Sequence, residues 1–300
     1  MAKTLIRFDW AMKRLLRQKS NFDILEGFLS ELLREDIKIE QILESESNQE
    51  LPGLKFNRVD MLALNSKGQL IIIELQAESE VDYFYRMAFA TAKAVVEHFN
   101  LSAAYQDVKK VYAINIVYFN LGQGNDYVYH GKTEFRGLHS GDLLGLSERQ
   151  QKKFSINHVH EIYPEYYILK VNAFNDLAKD SLDDWMYYLK NNVVRPGSKA
   201  KGLNLVRKRL EFEGLSERDR RIYLKHIENQ VIERDVYQTK LEDAEERGME
   251  KGMEKGMEKG VALATQQSIS RAIAQGKLTD DEIADLFNVP VADVTALRNA

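Results

Sequence analysis

Two acidic residues stand where an apolar strand would not ordinarily tolerate them. Asp60 lies in the run 57–64 (NRVDMLAL) and Glu74 in the run 69–76 (QLIIIELQ), with 65–68 (NSKG) between them. Both runs are otherwise largely apolar, and Asp and Glu are poor strand formers. A carboxylate in such a strand is costly unless a cation, a metal or several hydrogen bonds offset its desolvation. Side chains alternate along a strand, so Asp60 shares a face with Leu62 and Leu64, and Glu74 with Ile72 and Gln76. A three-residue loop, Ser66-Lys67-Gly68, with Gly68 in the left-handed region puts Asp60 opposite Glu74. Facing residues of an antiparallel pair have Cβ atoms roughly 5 Å apart. Two ionised carboxylates at that separation repel, which raises a pKa or recruits a cation. Hard divalent ions accept one or two carboxylates plus water and phosphate oxygens. A slip of one residue separates the pair. The same acids could instead be held by Arg58 or Arg86 as a structural ion pair, and spacing leaves both readings open.

The pattern Asp60, thirteen residues, Glu74-Leu75-Gln76 resembles the PD-(D/E)XK nuclease signature, with Gln where Lys usually stands. The surrounding text at 8–16 (FDWAMKRLL), 25–29 (LEGFL) and 112–119 (YAINIVYF) resembles the Rpn-type recombination-promoting nucleases, described as PD-(D/E)XK family transposases. This resemblance spans roughly residues 4–175 and continues more loosely into the tail. It implies a restriction-endonuclease-like core, an α/β mixed sheet flanked by helices, and metal-dependent hydrolysis of DNA phosphodiesters. Mg²⁺ is the implied cofactor, with Mn²⁺ as substitute. Asp60 and Glu74 match the metal-binding acids, and Gln76 the third motif position. Asp9 and Lys13 match a polar pair on the first helix. They share a helix face at i, i+4, where Asp9 offers a further carboxylate or the two form a plain ion pair. An amide at Gln76 donates and accepts hydrogen bonds but cannot serve as a base, so activation of water falls to the metal. Lys13, Arg58 and Arg86 are candidates for contacts to DNA phosphates.

Composition bounds the possibilities. A chain of 300 residues, 44% hydrophobic and 29% charged, can bury one sizeable core and carry appendages. No apolar run approaches the roughly 20 residues that span a bilayer, nor is there a signal-peptide core at the N-terminus. Cysteine is absent, which excludes disulfides and thiolate metal sites. A cytoplasmic protein without membrane association is expected. The net charge of −4 is unusual for a nucleic-acid binder. Basic residues nevertheless gather in two groups, Lys3, Arg7, Lys13, Arg14, Arg17 and Lys19, then Arg195, Lys199, Lys201, Arg207, Lys208 and Arg209. Either group could track phosphates or simply face solvent.

Four regions are expected: a nuclease-like core at 1–175, a helical extension at 176–247, a repeat at 248–262 and a small helix-turn-helix-like tail at 263–300. In the core, apolar spacing predicts helices around Leu5–Leu16 and Phe22–Leu33 and a first strand near Ile37-Lys38-Ile39, then a turn at Pro52-Gly53. Beyond the hairpin it predicts a long helix from about Asp82 to Phe99. Its Tyr83, Phe84, Tyr85 and Phe89 are expected to pack against the sheet. Strands are expected at 111–119, 126–135 and 165–171. His158 and His160 have a spacing that could chelate a metal, but no third ligand is evident nearby. Gly248-Met249-Glu250-Lys251 recurs twice more, ending at Gly260. Glycine every fourth residue weakens a helix that Glu, Lys and Met favour, so a marginal helix or linker is expected, with self-association as the sharper reading. Thr279-Asp280-Asp281-Glu282 has capping-box form. The following segment 291–297 offers few base-reading side chains, which favours protein association over groove recognition. The reading is a metal-dependent DNA endonuclease tied to recombination, transposition or mobile-element processing. Its rivals are a non-cutting DNA-binding protein of the same fold and a self-assembling interaction protein.

Overall fold

A computed structural model describes residues 5–43, 60–99 and 104–299. The chain divides into two compact units, Met1–Tyr223 and Leu224–Ala300.

The first unit is built on a six-stranded mixed sheet in the order β1-β2-β3-β4-β6-β5. The strands are β1 (Ile39–Leu43), β2 (Met61–Asn65), β3 (Leu70–Gln76), β4 (Val111–Val117), β5 (Val128–Gly131) and β6 (Glu165–Lys170). The first three form an antiparallel meander, β3, β4 and β6 run parallel, and β5 closes the far edge antiparallel to β6. The central strands are apolar on both faces because helices cover both.

On one face lie α1 (Phe8–Arg14), α2 (Phe22–Leu33), α5 (Ser181–Asn191) and α6 (Leu203–Arg209). Their contact is aromatic: Phe8, Phe28, Trp185 and Tyr188 meet edge to face with ring centroids 5.3–6.2 Å apart. Such pairs add stabilisation beyond their buried area. The Tyr188 hydroxyl donates to the Ile6 carbonyl at 2.8 Å, which satisfies the buried polar end of that ring. Gly27 makes the helix packing possible: a Cβ there would stand 2.5 Å from the Lys201 carbonyl oxygen and 2.6 Å from Gly202 Cα.

On the other face lies α3 (Tyr83–Glu97); the short α4 (Glu148–Phe154) follows β5 in the chain. Even-numbered residues of β3 point toward α3, since Leu62, Leu70, Ile72, Val111 and Ala94 pack together. Tyr83 and Met87 cover Val117 and Leu121 farther along the sheet. The expectation that α3 buries all its aromatics is corrected here. Tyr83 is buried, while Phe84, Tyr85 and Phe89 are exposed. The helix has one inward face, and only Tyr83 lies on it.

The helix α7 (Glu217–Gln275) begins in the first unit and continues into the second. Its Gly-Met-Glu-Lys repeat is helical throughout, with Met249, Met253 and Met257 exposed. In the second unit α8 (Asp280–Phe287) and α9 (Val291–Asn299) close a small core of Ile269, Ile283, Ala284 and Val294. Thr279 caps α8 as expected, accepting from the Glu282 N–H at 3.4 Å while Glu282 Oε2 accepts from the Thr279 N–H at 2.8 Å. Among the described residues no helix is long and apolar enough to cross a membrane.

Candidate active site

The hairpin register positions the acid pair. Leu64 pairs with Leu70, Leu62 with Ile72 and Met61 with Ile73, which carries Asp60, one residue before β2, opposite Glu74. The turn that sets this register has Gly68 at φ +74°, and the Gly68 N–H closes on the Asn65 carbonyl at 2.9 Å. Asn65 braces the loop by accepting from the N–H groups of Lys67 and Gln69 at 3.0 and 2.9 Å.

The two acids interlock through backbone. The Asp60 N–H donates to Glu74 Oε2 at 3.1 Å, and the Leu75 N–H donates to Asp60 Oδ2 at 2.8 Å. Glu74 is 6% exposed, and burial first, then the Asp60 charge, raises its carboxyl from 4.5 to about 7. Arg86 works against that rise. From the first half of α3 its guanidinium reaches Glu74 Oε1, and it also donates to Glu80 Oε1 at 2.7 Å. Gln76 donates to the same Glu80 oxygen at 2.9 Å. The result is a connected set, Asp60–Glu74–Arg86–Glu80–Gln76, along the α3 side of the hairpin.

Several members of this site were not foreseen. Asn115 on β4 sits beside Glu74 in the parallel register, is 4% exposed, and accepts from the Tyr83 hydroxyl at 3.3 Å. The signal was present, because Asn115 interrupts the apolar strand run as Glu74 does. Glu80 lies between strand and helix, where no periodicity marks it. Arg17 donates to the Asp60 backbone carbonyl and so sets a cation from the N-terminal basic group beside the acid pair.

The remaining candidates fall elsewhere. Asp9 lies in the first turn of α1 and accepts from Arg7 Nε at 3.3 Å. Lys13 is helical in α1, but its side chain, like the whole of Arg58 and the 52–53 turn, lies outside the described residues. In the second basic group, Arg209 pairs with Asp23 at 2.7 Å, Lys201 with Asp36, and Arg207 donates to the Val194 carbonyl at 3.1 Å. Much of that charge is engaged within the fold. His158 precedes and His160 lies within the 3₁₀ turn Val159–Glu161, and their rings stack at 5.2 Å. Nearby, Glu165 accepts from Lys110 at 2.7 Å and contacts His130 at 2.8 Å.

The donor chemistry at Asp60 and Glu74 suits a hard divalent cation, since the register sets two carboxylates opposite each other across the hairpin. Among the described residues no three acidic or histidine side chains cluster to hold a metal on their own. A site of two carboxylates leaves its other positions to water and substrate oxygens, the pattern of Mg²⁺ at phosphate centres.

No curated protein and no solved structure matches this chain. A family model does match, across residues 6–238, from the segment entering α1 to the first third of α7, and it describes a PD-(D/E)XK nuclease family transposase.

Proposed function

The chain belongs to the PD-(D/E)XK nuclease family transposases, and from that premise we propose that it is a Mg²⁺-dependent DNA endonuclease of the Rpn-like group. Membership gives it a nuclease- or transposase-like role, and nucleases of this kind generally use divalent metal ions. The observation that carries the finer reading is the facing of Asp60 and Glu74 across the hairpin, with Glu74 buried and raised to about 7. Glu74 is ion-paired with Arg86, and burial together with the Asp60 charge outweighs that pairing, which leaves the acid pair short of positive charge.

Asp60 and Glu74 would hold the ion, Mg²⁺ by preference and Mn²⁺ as substitute. When bound, it supplies positive charge that activates water and offsets the charge building on the phosphate. The Leu75 and Asp60 N–H groups fix one oxygen of each carboxylate. Arg86 orients the other oxygen of Glu74, and meets a phosphate only if it gives up its pairing to Glu74 or Glu80. Gln76 would steady the phosphate or the attacking water through its amide and takes no proton. Asp9 would add a carboxylate from α1, and Lys13, Arg17 and Arg58 would meet the DNA backbone. The C-terminal helical unit fits an association role, with cleavage confined to the first unit.

The test is relaxation and linearisation of a supercoiled plasmid with Mg²⁺, Mn²⁺, Ca²⁺ or EDTA. Asp60→Asn keeps the acceptor for the Leu75 N–H, and Glu74→Gln keeps the shape of the buried side chain. Each is expected to lose at least about 100-fold in cleavage with an unchanged circular-dichroism spectrum. Equal cleavage by Asp60→Asn and wild type would reject the assignment. A second reading, DNA binding without cutting, is favoured by the seating of Arg86 on Glu74. Its signature is a mobility shift indifferent to divalent ions, with no product over hours. Truncation before Gly248 separates the tail from the chemistry: lost oligomerisation with retained cleavage makes the tail an accessory.

A further inference from the structure

We propose that the outer face of α3 is a two-fold interface at which two copies of this chain pair, helix against antiparallel helix. The inner face of α3 is spent on the sheet through Tyr83, Met87, Thr91 and Ala94. A surface helix normally turns charge outward on the opposite side. Here that side carries Tyr85, Ala88, Phe89, Ala92 and Val96, all exposed, with Phe84 alongside. Tyr85 is 81%, Phe89 53% and Val96 69% exposed. From 81 to 97 the exposed charged residues are Asp82 and Glu97, at the two ends, while Arg86 and Lys93 are half-buried and Lys93 pairs with Glu97 at 3.5 Å.

The order of side-chain sizes identifies the occupant. Set two copies of α3 antiparallel about an axis between positions 88 and 89. Tyr85 of each copy then faces Ala92 of the other, and Phe89 faces Ala88. Each of these two rings meets a small residue, and Val96 meets Val81 just beyond the helix start. A self-complementary patch of this kind is what an isologous contact requires. The rings and valines expose on the order of 600 Å² per copy, close to the roughly 800 Å² that one partner contributes to a stable interface. Single-stranded nucleic acid also stacks on aromatic rings, but it needs a cationic groove beside them. The face offers acids at its ends, Arg86 is committed to Glu74 and Glu80, and Lys93, one turn from Phe89, is paired with Glu97 at 3.5 Å. Pairing through α3 places this contact in the first unit, independent of the Gly-Met-Glu-Lys repeat.

The test uses the full chain, whose lack of cysteine gives a clean background. Sedimentation velocity of wild type at micromolar concentration is expected to show association. Phe89→Glu, at a position 53% exposed in the single copy, is expected to weaken it at least about 30-fold while leaving the melting temperature of the monomer in place. Ala88→Cys lies within one residue of the axis and should bridge to its own copy under mild oxidation. Val96→Cys, about 22 Å out of register with its own copy, should not. A monomeric wild type would overturn the proposal. So would association unaffected by Phe89→Glu, or equal bridging at 88 and 96. Loss of DNA binding by Phe89→Glu with no change in mass would assign the face to nucleic acid and overturn it too.

Discussion

Replacing Glu74 by Gln distinguishes a strained acid from a comfortable ion pair. In the metal-free protein the Glu74 carboxyl is raised from 4.5 to about 7, chiefly by burial and then by Asp60, with Arg86 pulling the other way. Between these two values the folded chain holds a proton that the unfolded chain has released, so stability falls as pH rises from 4.5 through 7. At roughly 1.4 kcal/mol per pH unit, the ionised side chain costs the fold about 3 kcal/mol above pH 7. Glu74→Gln removes that cost and keeps the volume. With EDTA present, urea denaturation should give nearly equal stabilities for variant and wild type near pH 4.5. The variant should gain as pH rises and lead by about 2–3 kcal/mol at pH 8. Ca²⁺ should then stabilise wild type but not the variant, because only the wild-type folded state binds it. A difference flat across this range, or a variant that weakens toward pH 8, would show that Arg86 more than compensates the buried charge. The argument for an acid pair awaiting a cation would then fail.

Other consequences are as direct. Arg86→Gln removes the cation seated on Glu74 and should destabilise the metal-free fold by about 2 kcal/mol at pH 8 and much less at pH 5, read by denaturation at the two pH values. Gly27→Ala places a methyl group 2.5 Å from the Lys201 carbonyl oxygen, forcing α2 and the Lys201–Gly202 backbone apart, and should cost about 2–3 kcal/mol in thermal unfolding of the first unit. Thr279→Ala removes the cap of α8 and should cost about 1 kcal/mol, seen as faster amide exchange in 280–297 with none in the sheet.

The hairpin was legible because its determinants are local. Gly68 allows the left-handed turn, the turn length sets the register, and the alternation of side chains then places Asp60 and Glu74 on one face. The capping box at Thr279 and the strand at 111–117 were readable for the same reason, since each rests on neighbours within a few residues. What surrounds the acids was not local. Arg86, Glu80, Asn115 and Arg17 converge from a helix, a connection, a parallel strand and the N-terminal segment, and parallel pairing joins residues 41 positions apart in Glu74 and Asn115. Composition likewise marked the aromatics of α3 as core, yet only the sheet decides which side of a helix faces inward. The chain alone therefore determined the acids and their register, through turn geometry and strand period. Tertiary packing decided their protonation and their cation, because burial and long-range charge depend on segments that no local spacing brings together.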